Sequence, residues 1–260
     1  MTSTNDGLYV EQLTKHFGGI RVFEDITLHI PPGQVTACIG PNGAGKTTLI
    51  NIISGVFPPT NGRVLLDGKS LTGLASHQVV RRGVGRTFQD VRIFPSLTAI
   101  ENVLTGFPDQ QGEKLRHLFR PGSDVRAQAR DNRERALALL DAMSMREVAD
   151  RPAGELAFGR QKLLALLRSV ATGARVLLLD EPATGVEMEM LPRITGLIRD
   201  LVKNDRRGVF LVEHNVDVVR EIADHVVVLQ GGRVIASGPS ESVLKDERVI
   251  EEYLGRIYNA

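Results

Sequence analysis

The chain has 260 residues, 42% hydrophobic and 24% charged, the proportions of a globular protein long enough to bury a sizeable core. Lys and Arg number 32 against 31 Asp and Glu, so the basic bias of a nucleic-acid binder is missing and no nucleic-acid partner is expected. The single cysteine, Cys38, excludes an internal disulfide or a multi-cysteine zinc site and fits a reduced, intracellular setting.

Met1–Gly7 is polar, without the apolar stretch of a signal peptide. Short runs rich in β-branched residues then predict strands at Leu8–Leu13, Ile26–Ile30, Val35–Ile39, Gly62–Leu66, Val84–Phe88, Val176–Leu179, Val209–Val212, Val226–Leu229 and Arg233–Ala236. Several lack polar alternation, as strands covered on both faces do. None approaches the about 20 apolar residues of a spanning helix, so any membrane role requires a separate partner. Helices are expected at Lys46–Ser54, Val125–Met143, Phe158–Thr172 and Glu189–Lys203. Strands alternating with helices indicate an α/β core with a mainly parallel sheet. Residues 95–155 carry no convincing strand and read as an inserted α-helical subdomain, leaving 1–94 and 156–260 as the core. Within the insert, Phe107–Asp124 holds Pro108, Gly112, Pro121 and Gly122 and predicts a long loop. Arg116, Arg120, Arg126, Arg130, Arg133 and Arg135 read as a solvated face balanced by Asp131, Glu134 and Asp141.

Gly40-Pro41-Asn42-Gly43-Ala44-Gly45-Lys46-Thr47-Thr48 fits G-x-x-x-x-G-K-[ST], with a predicted strand before it and a helix after it. Glycines at 40, 43 and 45 let backbone N–H groups turn inward around phosphates. The next helix directs its positive end at them. Lys46 adds a charge for the β- and γ-phosphates, Thr47 a hydroxyl for Mg²⁺, and Thr48 a further phosphate contact. Val176–Leu179 ends in Asp180 and Glu181. A parallel strand delivers such residues to the carboxyl edge of its sheet. Asp180 is placed to hold Mg²⁺ and Glu181 to act as general base on a water.

Further pieces follow in one order, and together they resemble the ATP-binding-cassette (ABC) ATPases. Leu156-Ala157-Phe158-Gly159-Arg160-Gln161 resembles their LSGGQ-type signature. Gln89 in Arg86-Thr87-Phe88-Gln89 looks like the Q-loop glutamine, His214 in Val212-Glu213-His214-Asn215 like the switch histidine, and Ala183–Glu187 stands at the D-loop. Phe17 looks like the aromatic that stacks on adenine. The resemblance spans residues 8–237 and implies one nucleotide-binding domain over 1–260. That domain is a P-loop NTPase (RecA-like) core with an N-terminal antiparallel β subdomain. It also implies two subunits closing head to tail around ATP, the second cassette being the same or a different chain. Ala157 and Gly159 then face the partner's γ-phosphate, Gln89 senses Mg²⁺ and water, and His214 fixes γ-phosphate and water.

The style of Gly85–Gln89, Arg92–Thr98, Glu101–Val103 and Val249–Gly255 is similar to the branched-chain amino-acid uptake ATPases. That implies a peripheral subunit at the cytoplasmic face of the inner membrane, working with permeases and, indirectly, an extracytoplasmic solute-binding protein. Other small solutes, export, a non-transport ABC role and a regulatory subunit with weak hydrolysis stay open. Phe94, Pro95 and Leu97 form either a permease-docking patch or subdomain core. Three departures stand out. Ala157 replaces the signature serine, removing a hydroxyl hydrogen bond whose loss slows hydrolysis by roughly 10- to 150-fold if felt wholly in the transition state. Arg160 is bulkier than the usual residue, and Glu187 replaces Asp or Asn. Two unequal ATP sites in a heterodimer are the expectation.

Overall fold

The computed structural model describes residues 6–87, 92–110 and 123–251. Strands β1 (Leu8–Phe17), β2 (Ile20–Ile30), β4 (Asn61–Leu66) and β5 (Lys69–Ser70) form an antiparallel sheet in the order β2-β1-β4-β5. A second sheet holds β3 (Val35–Ile39), β6 (Val84–Arg86), β7 (Val176–Asp180), β8 (Gly208–Val212), β9 (His225–Gln230) and β10 (Arg233–Pro239) in the order β10-β9-β3-β8-β7-β6. It is parallel throughout except for the β9–β10 edge pair. The helices are α1 (Lys46–Ile53), α2 (Ser76–Arg81), α3 (Ala99–Leu104), α4 (Ser123–Ala142), α5 (Phe158–Ala171), α6 (Leu191–Lys203), α7 (Val216–Ile222), α8 (Ser240–Val243) and α9 (Glu247–Val249).

The unbroken apolar runs of β3, β7 and β8 have a direct cause. Successive side chains point to opposite faces, and each face meets its own layer. Ala37, Ile39, Leu177, Leu179, Val209 and Leu211 pack with the helices α3 to α7. Cys38, Leu178, Phe210 and Val212 pack with β1, β2, β4 and α1. Cys38 thus lies in a core, and burial pushes its thiol up to about 12.

The antiparallel strands run well past the predicted Leu8–Leu13 and Ile26–Ile30. Gln12 (φ 47) and Asp25 (φ 56) are left-handed, and the β1–β2 pairing shifts register between Val10 and Leu13 and again on either side of Lys15. Bulges of this kind put two successive residues opposite one and destroy the period-2 pattern. The predicted helix 189–203 splits into a 3₁₀ turn, Met188–Met190, and α6, whose first turn contains Pro192.

Between 92 and 155 the described residues form α3, α4 and two short 3₁₀ turns at Arg146–Val148 and Ala153–Glu155. Arg126, Arg130, Arg133 and Arg135 are exposed on α4, with Arg133 paired to Asp150 and Arg135 to Asp131; Arg116 and Arg120 lie outside the described residues. Thr98 and Glu101 cap α3 reciprocally. Asn102, wholly buried, holds the preceding loop. Its amide donates to the carbonyls of Phe94 (3.0 Å), Leu97 (3.3 Å) and Thr98 (3.0 Å), and its oxygen accepts from the Phe94 N–H (2.8 Å). Phe94 and Pro95 therefore stand exposed on a fixed loop, with Leu97 half-buried. Asn102→Leu removes every one of these bonds and should destabilise the chain by about 3 kcal/mol, measured by urea unfolding.

Candidate active site

The strands β3, β8 and β7 are parallel neighbours, so their carboxyl ends bring Gly40, His214 and Asp180–Glu181 to one edge of the sheet. The loop after β3 depends on its glycines. Gly40 has φ 151, and a Cβ there would lie 1.9 Å from the Leu229 carbonyl oxygen. Gly43 (φ 80) and Gly45 (φ 101) are also in the region that favours glycine. Lys46 opens α1 with its side chain folded under the loop, where its ammonium donates to the carbonyls of Gly40 (2.7 Å) and Pro41 (2.9 Å). Ala44 donates its amide to Pro41 (3.2 Å). Burial lowers the Lys46 pKa, opposed by the nearby acids Glu181 and Asp180. Thr47 is exposed beside it and Thr48 half-buried. Phe17, 45% exposed, stands at the end of β1, edge-on to Phe57 at 5.3 Å and beneath the Lys15 ammonium at 4.7 Å.

Asp180 is 1% exposed and neither carboxylate oxygen has a hydrogen-bond partner. Burial raises its pKa; the Arg86 guanidinium, 3.7 Å away, opposes the shift. A buried carboxylate so placed is the donor a hard divalent cation satisfies. Among the described residues no cluster of three or more His, Cys, Asp or Glu encloses a metal. A cation at Asp180 would therefore take most of its remaining ligands from hydroxyls, water or phosphate oxygens. Glu181 has φ 51, and its Oε1 lies 2.7 Å from His214 Nε2. Gln89 lies outside the described residues.

The signature segment caps α5. Ala157 is its N-cap, with no side-chain capping bond; Phe158 is 59% exposed. A Cβ on Gly159 would sit 3.3 Å from the Gly185 carbonyl oxygen, so the signature and the Ala183–Glu187 turn are closely packed. The Arg160 guanidinium is directed to Glu147 at 3.3 Å. Glu187 is exposed.

The sequence pattern of the ABC transporter family matches residues 23–184. The chain belongs to the ABC transporter family. It is 39% identical over 249 residues to the high-affinity branched-chain amino acid transport ATP-binding protein BraF of Pseudomonas aeruginosa, covering 95% of this chain and 97% of that protein. Identity to the corresponding LivG of Escherichia coli is 36% over the same coverage. A crystal structure of an ABC transporter cassette in its ADP conformation superposes with a TM-score of 0.79 at 30% identity, covering 97% of this chain and all of that one. A dimeric cassette in a post-hydrolysis state bound to ADP and Pi gives 0.75 at 26% identity, covering 90% of this chain and 98% of that one. This ABC protein is thus an ATP-binding, ATP-hydrolysing subunit of a transporter. Among its described residues no helix is long and apolar enough to cross a membrane.

The structure adds residues to this ABC site that sequence reasoning passed over. Arg86, with 8% of its side chain exposed, donates to Asn51 Oδ1 (2.7 Å) and Ser54 Oγ (2.8 Å) besides facing Asp180. Thr87 Oγ1 accepts the Asp180 amide at 3.1 Å. Lys162 and Glu213 are buried beside Glu181. Arg86, Lys162 and Glu213 each adjoin an apolar residue on one side and a polar one on the other, so the sequence pattern did not set them apart from solvated side chains. Arg86→Met should destabilise the fold by about 2–3 kcal/mol. In a double-mutant cycle read by urea unfolding, Asp180→Asn should recover part of that loss, because the carboxylate is then no longer a buried charge without its cation.

Proposed function

We propose that the chain drives uptake of branched-chain or other amino acids, or related small solutes. In this reading it is a peripheral subunit at the cytoplasmic face of the plasma membrane, served by an extracytoplasmic solute-binding protein. Support comes from the transport of branched-chain amino acids printed in the names of BraF and LivG. The observation that carries the chemistry is the convergence at one sheet edge of the Lys46 loop, the unsatisfied Asp180 carboxylate and the Glu181–His214 contact of 2.7 Å.

In this reading Phe17 stacks on adenine and the loop Gly40–Thr48 wraps the phosphates, with the Lys46 ammonium near the β- and γ-phosphates. Asp180 and Thr47, joined by Gln89, hold Mg²⁺, which when bound offsets phosphate charge. Glu181 accepts the proton of the attacking water, and His214 holds the carboxylate and the γ-phosphate. Ala157 and Gly159, at the positive end of α5, face the nucleotide of a second cassette. Residues 95–155 serve as the helical subdomain, and the permease docks in the cleft between it and the core, with Phe94, Pro95 and Leu97 at that surface.

Mg²⁺-dependent hydrolysis by the purified chain tests the reading. Lys46→Ala should lose nucleotide binding. Glu181→Gln should bind ATP as the parent does yet turn over at least about 100-fold more slowly. Wild-type turnover in Glu181→Gln refutes the assignment of the base. Phe94→Glu should prevent co-purification with the permease subunits while leaving ATP affinity unchanged, because the ring is 49% exposed and lies beside Arg168 rather than in the core.

A further inference from the structure

The turn that carries Glu181 is gripped from two sides by buried side chains of opposite charge. Lys162, one turn into α5 and 9% exposed, donates its ammonium to the carbonyl oxygens of Glu181 and Thr184, each at 2.6 Å. Glu213, 1% exposed at the end of β8, accepts the amide of Ala183 at 2.8 Å and that of His214 at 3.1 Å. Burial lowers the Lys162 pKa and Glu213 opposes it; burial raises that of Glu213 and the amide hydrogen bonds oppose it. The clamped turn is strained: Glu181 sits at φ 51, where a side chain is disfavoured. Such a residue persists only where its surroundings over-determine it. The same turn fixes the direction of the Glu181 carboxylate toward His214.

Two buried charges are a costly way to stabilise a turn. Their placement is specific: one reaches the turn from the signature helix, the other from the strand that leads into His214. We propose that Lys162 and Glu213 are positioning residues that together hold Glu181 in its strained conformation against His214. They tie the signature helix α5 to the general base of the same chain. The inference rests on the assignment of Glu181 as the base.

The test uses the full-length chain assembled with its co-purifying permease subunits. Steady-state kcat and KM for Mg²⁺-ATP and the affinity for a fluorescent ATP analogue are compared for Lys162→Met, Glu213→Gln, the double variant and Glu181→Gln. Each single substitution should lower kcat by about 10- to 100-fold while analogue affinity stays within about 2-fold. The double variant should be no slower than the slower single, since both act through one turn. An unchanged kcat, a fall matched by lost nucleotide affinity, or losses that multiply in the double variant each overturns the clamp. Should Lys162→Met not fold, Glu213→Gln, which keeps the shape and one acceptor oxygen, decides by its own kcat and affinity. Turnover persisting in Glu181→Gln removes the base and this inference with it. Its loss there, with wild-type kcat in Lys162→Met, removes the clamp alone.

Discussion

A carboxylate at the end of an all-apolar strand, buried without a hydrogen bond, sets the terms for everything around Asp180. An isolated charge there would cost several kcal/mol, so the fold surrounds it with opposite charge at graded distances. Arg86 is nearest and tied to α1 through Asn51 and Ser54. Lys46 and Lys162 also act on Asp180 by charge, while their ammonium groups are bound to backbone carbonyls. Glu181 and Glu213 add two more acids to the same volume. The result is a near balance of three cations and three anions in which Arg86 pairs with Asp180 at 3.7 Å without making a hydrogen bond to it. The cost of that burial is carried by the packing of the parallel sheet.

The sheet that bears this cost also determines which residues meet. Because β3, β8 and β7 are parallel and adjacent, a phosphate loop, a histidine and a pair of acids from residues 40 to 214 arrive at one edge. Two cores then fix the edge from either side. The helical layer carries α5 and with it Lys162. The antiparallel sheet packs β2 against the loop, where Phe23 comes within 3.0 Å of a Cβ built on Gly45. Both layers therefore constrain the same few backbone units, and the strain at Glu181 is held by tertiary packing rather than by local preference.

The legible part of this site was the part where backbone freedom or a full charge is unavoidable. Glycines at 40, 43 and 45 before Lys46, and Asp180–Glu181 after four apolar residues, announce themselves because no ordinary helix or strand uses residues in that way. The parallel core was legible for the same reason: strands covered on both faces carry no alternation. Lys162 was invisible, since a lysine on an amphipathic helix is ordinarily solvated, and only the fold shows that its stem runs inward to two carbonyls. Glu213 was masked by its neighbour His214. Asn102 resembled any polar helix residue, although it is the residue that fixes the Phe94 loop. The bulged halves of β1 and β2 were lost because left-handed Gln12 and Asp25 erase the alternation on which a strand reading depends.

The departures at the signature acquire a different weight once its packing is known. The N-cap of α5 carries a methyl group in place of a hydroxyl, yet the first-turn amides and the positive end of the helix are unaffected by that change. The Arg160 guanidinium points to Glu147 on the flank of the helix, 3.3 Å away. What α5 presents is therefore backbone amide beside the exposed ring of Phe158, with Gly159 kept small by the carbonyl of Gly185 3.3 Å from its built Cβ. That contact and the bond from Lys162 to Thr184 lie on the same stretch of chain. A shift of α5 consequently reaches the Glu181 turn by two routes, one steric and one electrostatic. Ala157 lacks one hydroxyl donor, whereas the geometry that links the helix to Glu181 is left whole.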